Sequence, residues 1–207
     1  MEEEIIRGLP KIIDNSKSLL SDANFLCENN RKERAYSIFQ LATEEIAKAF
    51  YLVGGVIFGF EEDRKKMLCK IRDHKFKSKK AIGLEYIVIQ LLKDISYEKY
   101  ELSVRNSILE FNSINELNNK KNHGFYTSFI NTENTFKTPS ELISNEDVED
   151  IKTKATFRVW IGSKLLIPMI ENIDSIKEKV NEINFDNKEI DGDHITELKG
   201  IIDKYNL

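Results

Sequence analysis

Cysteine is scarce. Cys27 and Cys69 are the only two in 207 residues, too few for a disulfide framework. Three prolines and nine glycines exclude a collagenous or loop-dominated chain. No run approaches the ~18 uninterrupted apolar residues that a membrane helix needs. The best candidate, AFYLVGGVIFGF over residues 49–60, reads instead as a buried helix end. The start, MEEEIIRGLPKIID, has no basic region and no apolar core, so it is not a secretory signal. A cytoplasmic protein with reduced thiols and no membrane partner is the expectation. One-sided charge is lacking too: 31 basic against 35 acidic residues leave −4. Whole-surface attraction to nucleic acid or anionic membrane is thereby excluded, while a local basic patch stays open.

Hydrophobic residues make up 41% and charged residues 32%, a globular mixture rather than a disordered one. A surplus of Ile and Asn leans towards a bacterial source. Helical periodicity dominates. Ile12, Ile13, Leu19, Leu20, Ala23 and Leu26 predict a helix over 10–29, with Pro10 in its first turn. Ala35, Phe39, Ala42, Ile46, Ala49, Val53 and Ile57 predict a second long helix, fraying at Gly54, Gly55 and Gly59. Further helices are expected over 61–73, 78–93 and 96–121, the last capped by Ser96. Residues 123–139, HGFYTSFINTENTFKTP, lose the helical period and read as an ordered loop or small hairpin. Helix resumes near Asn145, is kinked or split by Pro168, and continues through Ile176 and Val180. A short helix closes the chain over 193–205, with His194 a plain residue at its start. The expectation is one all-α domain over 1–207, a bundle of about six to seven helices with its core over 10–183. Dinucleotide, P-loop and nucleophile-elbow motifs are absent from the sequence.

Three constellations could carry chemistry. In the second helix, Leu41, Glu45, Lys48 and Leu52 share a face beside the main apolar stripe. That places Glu45 and Lys48 at a partly buried interface, either as site residues or as an ordinary helix ion pair. Glu44 points elsewhere, towards solvent. Residues 64–80, RKKMLCKIRDHKFKSKK, hold nine Lys or Arg and a single acid, Asp73, around His74. Arg72, Lys75, Lys77 and Lys79 are RNA-backbone candidates there. The alternative is a solvated face with Met67, Leu68 and Ile71 turned to the core. At the end of the fifth helix, NNKKNH sets Lys120 and Lys121 before His123. Such a histidine can move protons, or it can be a surface residue favoured by the helix dipole. Metal-ligand spacings are missing, so neither metal nor cofactor is expected.

AYSIFQLATEEIAKAFYL (35–52), RDHKFK (72–77) and NELNNKKNHGFYTSF (115–129), in this order, resemble the AbiV family of bacterial abortive-infection proteins. The resemblance spans most of residues 10–180. It implies a HEPN-like helical bundle, a homodimer and antiphage defence. It also implies a phage-encoded protein as activator, since a chain that arrests its own host must be silent until infection. Many HEPN-like domains are metal-independent ribonucleases with an Arg-Asn-x-x-x-His motif. Here Asn118 stands where the Arg would be, and Asn cannot supply its permanent bidentate charge. Lys120, Lys121 or a basic residue of 64–80 could substitute. The roles implied are His123 or His74 as base, Lys121 and Lys77 as electrostatic partners, and Glu45, Lys48, Asp73 and Asn119 as orienting polar residues. The action would be RNA cleavage or translation arrest. The competing readings are a non-enzymatic interaction module and a toxin–antitoxin component.

Overall fold

The computed structural model describes residues 1–60, 62–91 and 97–182. The expected closing helix over 193–205, with His194, lies outside the described residues, as does the Ser96 cap. What is described is all-α apart from one strand pair.

Helix α1 (Glu2–Glu28) and helix α2 (Lys32–Phe58) form an antiparallel pair. Their turn is closed by Asn30, which takes the left-handed conformation at φ 57°. Arg31 N–H bonds the Leu26 carbonyl at 2.8 Å and Asn30 N–H bonds that of Cys27 at 3.1 Å, so the last carbonyls of α1 are satisfied. Helix α1 starts eight residues before Pro10, not at it. Glu2, Glu3 and Glu4 favour the early start. Leu9 is fully buried with Ile5 and Ile6 packed near it, which offsets the bond lost at the proline.

Helix α2 is the axis of the bundle. It runs unbroken through Gly54 and Gly55 and stops at Gly59, whose φ of 84° suits glycine. Ala35, Ala42 and Ala49 recur every two turns and are fully buried, so neighbouring helices approach closely. Helix α3 (Arg64–Arg72) and helix α4 (His74–Leu91) meet at Asp73. The Asp73 carboxylate accepts from the N–H groups of Lys75 (2.8 Å) and Phe76 (3.2 Å). This cap starts α4 four residues earlier than the apolar pattern alone suggests.

The expected fifth helix is two: α5 (Tyr97–Asn112) and α6 (Ile114–His123). They break at Ser113, whose hydroxyl donates to the Leu109 carbonyl at 3.0 Å and competes with the helix ladder. Strands β1 (Ser128–Ile130) and β2 (Thr135–Lys137) are the anticipated hairpin, with Phe129 opposite Phe136. Helix α7 (Pro139–Leu142), one turn long, was not legible in the pattern. Helix α8 (Asn145–Glu171) begins at a Ser144–Asp147 capping box. It passes through Pro168, and the split comes one turn later at Asn172, before α9 (Ile173–Glu182).

The larger core joins α1, α2, α8 and α9 around Leu9, Ile13, Ile46, Val53, Leu166 and Ile176. A second cluster joins Ala23, Phe39, Val148 and Ile151. Each large side chain so buried contributes on the order of 1.5–3 kcal/mol. A Cβ at Gly162 would stand 2.5 Å from Ile46 Cγ1, so α8 owes its approach to α2 to that glycine.

Candidate functional site

Ser37, Gln40, Glu44 and Tyr51 follow one another at helical spacing on α2. This row faces α4 and α6 rather than water. Glu44 is 1% exposed, which corrects the expectation that it points to solvent. The two apolar rows read from the sequence left a third side of α2, and α4 and α6 cover it.

Glu44 is bonded by three side chains. Lys121 Nζ lies 2.8 Å from Oε1. Lys77 Nζ lies 3.3 Å from Oε2. His74 Nδ1 makes a short hydrogen bond to the same Oε2. The lysine side chains are 5% and 10% exposed, while His74 is 49% exposed. A carboxylate buried here would be costly unpaired. Two cations and the amino-terminal end of α4, where the dipole favours negative charge, offset that cost. One carboxylate against two lysines leaves the cluster with surplus positive charge, and the imidazole ring is its part most open to solvent.

Each partner is placed by local structure. Asp73 caps α4, so His74 and Lys77 occupy its first turns. The end of α6 is held against α2 by Ser37, whose hydroxyl donates to the Lys121 carbonyl at 2.6 Å. Gly124 makes this contact possible, since a Cβ there would meet Ser37 Oγ and the Glu33 carbonyl. Beside Glu44, the Gln40 amide donates to Ser78 Oγ at 3.1 Å.

The sequence-derived candidates divide. His74, Lys77 and Lys121 come together, around Glu44 rather than Glu45. Glu45 and Lys48 pair with each other at 2.6 Å, partly buried as expected. His123 is bonded through Nδ1 to Ser128 Oγ at 2.8 Å, at the start of the hairpin. Arg72 and Lys75 are exposed and lie within two residues of His74, while Lys79, also exposed, has its Nζ 5.2 Å from the Phe111 ring centre. Met67 is buried and Leu68 and Ile71 pack on the core, as the solvated-face reading also expects. Asn119 is exposed. Lys120 turns to α8, bonding Asp147 at 2.7 Å.

Sequence reasoning also missed Arg158, 1% exposed on α8. Its guanidinium bonds Glu110 of α5 through Nη1 (2.9 Å) and Nη2 (2.7 Å), and Glu85 of α4 through Nε (2.9 Å) and Nη2 (2.7 Å). Burial works to raise the Glu110 carboxyl, but the Arg158 charge and hydrogen bonds outweigh it and hold the group below its ordinary value. The available signal was position: residue 158 falls on the buried face defined by Ile151, Ala155 and Gly162. Among the described residues, no group of three or more His, Cys, Asp or Glu could hold a metal ion. No described helix is long and apolar enough to cross a membrane.

An all-α bundle with one small strand pair, carrying these three sequence blocks, is a HEPN-like helical domain. The family model for AbiV matches residues 4–158, which include every member of the Glu44 cluster, and the chain belongs to the AbiV family. That membership connects it with abortive infection, the bacterial defence against phage. No curated protein and no solved structure matches the chain.

Proposed function

We propose that the chain is an abortive-infection effector that cleaves RNA at the Glu44 cluster once a phage-encoded factor activates it. The observation that carries this reading is a half-exposed imidazole bonded to a carboxylate buried among cations. With Nδ1–H donating to Glu44, Nε2 keeps its lone pair. Nε2 takes the proton of a ribose 2′-hydroxyl. The 2′ oxygen then bonds the adjacent phosphorus, the bond from phosphorus to the 5′ oxygen breaks, and that oxygen takes a proton from water, whose hydroxide is neutralised by the proton on His74. The products are a 2′,3′-cyclic phosphate and a 5′-hydroxyl. Lys77 and Lys121 stabilise the charge that builds on the phosphoryl oxygens, in place of the arginine missing at Asn118. Arg72, Lys75 and Lys79 hold flanking phosphates. His74 is preferred to His123 as base because its partner is a carboxylate and that of His123 a hydroxyl. Asp73 positions His74 through the helix cap.

The active form we propose is a homodimer. Leu102, Ile108 and Leu109 of α5 are each more than half exposed and offer a second copy an apolar surface. A purely monomeric chain in sedimentation at micromolar concentration would contradict that.

The test is plaque formation on bacteria expressing the wild-type chain, His74→Ala or His123→Ala. Loss of protection in His74→Ala, with the variant folded and equally abundant, is expected. Equal protection by all three would remove the histidines from the mechanism and favour the interaction-module reading.

A further inference from the structure

Two turns beyond Glu44, the same side of α2 opens into a second site. Tyr51, Phe58, Phe60 and Phe76 line a cleft of about 370 Å³ at the junction of α2, α3 and α4. Tyr51 and Phe76 meet edge to face with ring centres 4.9 Å apart. Lys80 Nζ stands 5.8 Å from the Tyr51 ring centre and 5.5 Å from that of Phe76. Lys70 stands 5.7 Å from the Phe76 ring centre as well but is also ion-paired with Glu62 at 2.8 Å, so Lys80 is the cation of the cleft with the rings as its partners. Gly54 and Gly59 also line the cleft, and a Cβ at either would meet open space.

We propose that this cleft seats one unstacked base of a single-stranded RNA whose backbone crosses the Glu44 cluster. The inference rests on the cleavage reading above and names the substrate class for it. Aromatic side chains take bases on their π-faces, and a nearby cation holds the phosphate that accompanies the base. Seven residues of helix separate Tyr51 from Glu44, about 10 Å along the axis, and Phe76 follows His74 by two residues. Neighbouring residues of one strand can therefore occupy both places. The Glu62 carboxylate lines the cleft, its oxygens bonded by Tyr51 and Lys70, and its remaining lone pairs accept from the exocyclic amino group of a base. Adenine is preferred to uracil, which has none.

The probe is a 2′-O-methyl oligoadenylate of about eight residues, which lacks the attacking hydroxyl and stays intact. Its binding to the full chain is followed by fluorescence anisotropy, beside the oligouridylate and free AMP. Gly54→Leu fills the cleft floor without touching the Glu44 cluster, and replaces a helix-interior glycine by a better helix former. Oligoadenylate binding should weaken about five- to 150-fold, the effect of losing one stacked base, with melting unchanged or raised. Lys80→Ala should weaken it in the same direction. Unaltered oligoadenylate binding in Gly54→Leu overturns the proposal. So does loss of AMP binding alone, which would make the cleft a free-nucleotide site, and so does equal binding of oligouridylate and oligoadenylate. The cleavage reading is judged separately by His74→Ala: if that variant still protects, cleavage at the cluster fails whatever the cleft binds.

Discussion

Replacing Glu44 by Gln keeps the shape of the side chain and removes its charge. Lys121 and Lys77, almost wholly buried, then lose their counter-ion. At separations of 2.8 and 3.3 Å, the gross attraction is about 5–6 kcal/mol per pair at an effective dielectric near 20. Desolvation cancels much of that, and breaking a buried pair by removing one partner costs about 3–5 kcal/mol. Total stability for such a domain is about 5–15 kcal/mol, so Glu44→Gln should sit near the edge of folding. A loss of this size lowers Tm by about 6–20 °C for a chain of this length. Urea titration with linear extrapolation measures it. His74→Ala, at a half-exposed position, should cost within about 1 kcal/mol. Adding Lys121→Met to Glu44→Gln should restore much of the loss, because the pair is then gone rather than broken. A Glu44→Gln effect below about 0.5 kcal/mol, the range of an ordinary surface change, would refute the buried-charge argument.

Gly124→Ala should destabilise by about 2 kcal/mol or more, since the new Cβ collides with the Glu33 backbone carbonyl as well as Ser37; an unchanged melt would show that the α6–α2 contact is looser than described. Glu110 titrates below its ordinary value in the folded chain. Its contribution is therefore complete above the ordinary carboxylate range and is lost as pH falls through the lowered folded value. Acid unfolding should accordingly be shallower in Glu110→Gln than in the wild type when stability is plotted against pH, and parallel curves would contradict the assignment. Pro10→Ala, at an exposed position inside α1, should raise stability by about 1–3 kcal/mol. A lowered Tm would mean that α1 needs its proline.

The long helices were legible because apolar spacing is a local property, and the hairpin because that period lapses over 123–139. Ala35, Phe39, Ala42 and Ile46 mark the buried side of α2 without any knowledge of what covers it. Boundaries set by caps were less legible, since Asp73 and Ser113 act through hydrogen bonds that the apolar pattern does not register. His74, Lys77 and Lys121 were singled out as chemistry-bearing types, but nothing local says that they share one carboxylate. Glu44 lies 30 residues before His74 and 77 before Lys121, and its burial follows from how α4 and α6 pack. For Arg158 the position on the buried face of α8 was readable, but its partners were not, because its acids come from α4 and α5.

The most direct measurement is of RNA ends. Cells expressing the wild-type chain or His74→Ala would be infected with a phage that the wild type restricts, and RNA termini carrying 2′,3′-cyclic phosphates mapped across the infection. New cyclic-phosphate ends that appear only after infection, and only with the wild-type chain, are the predicted result. Protection by the wild type without such ends, or the same ends in folded His74→Ala, would contradict cleavage at the Glu44 cluster.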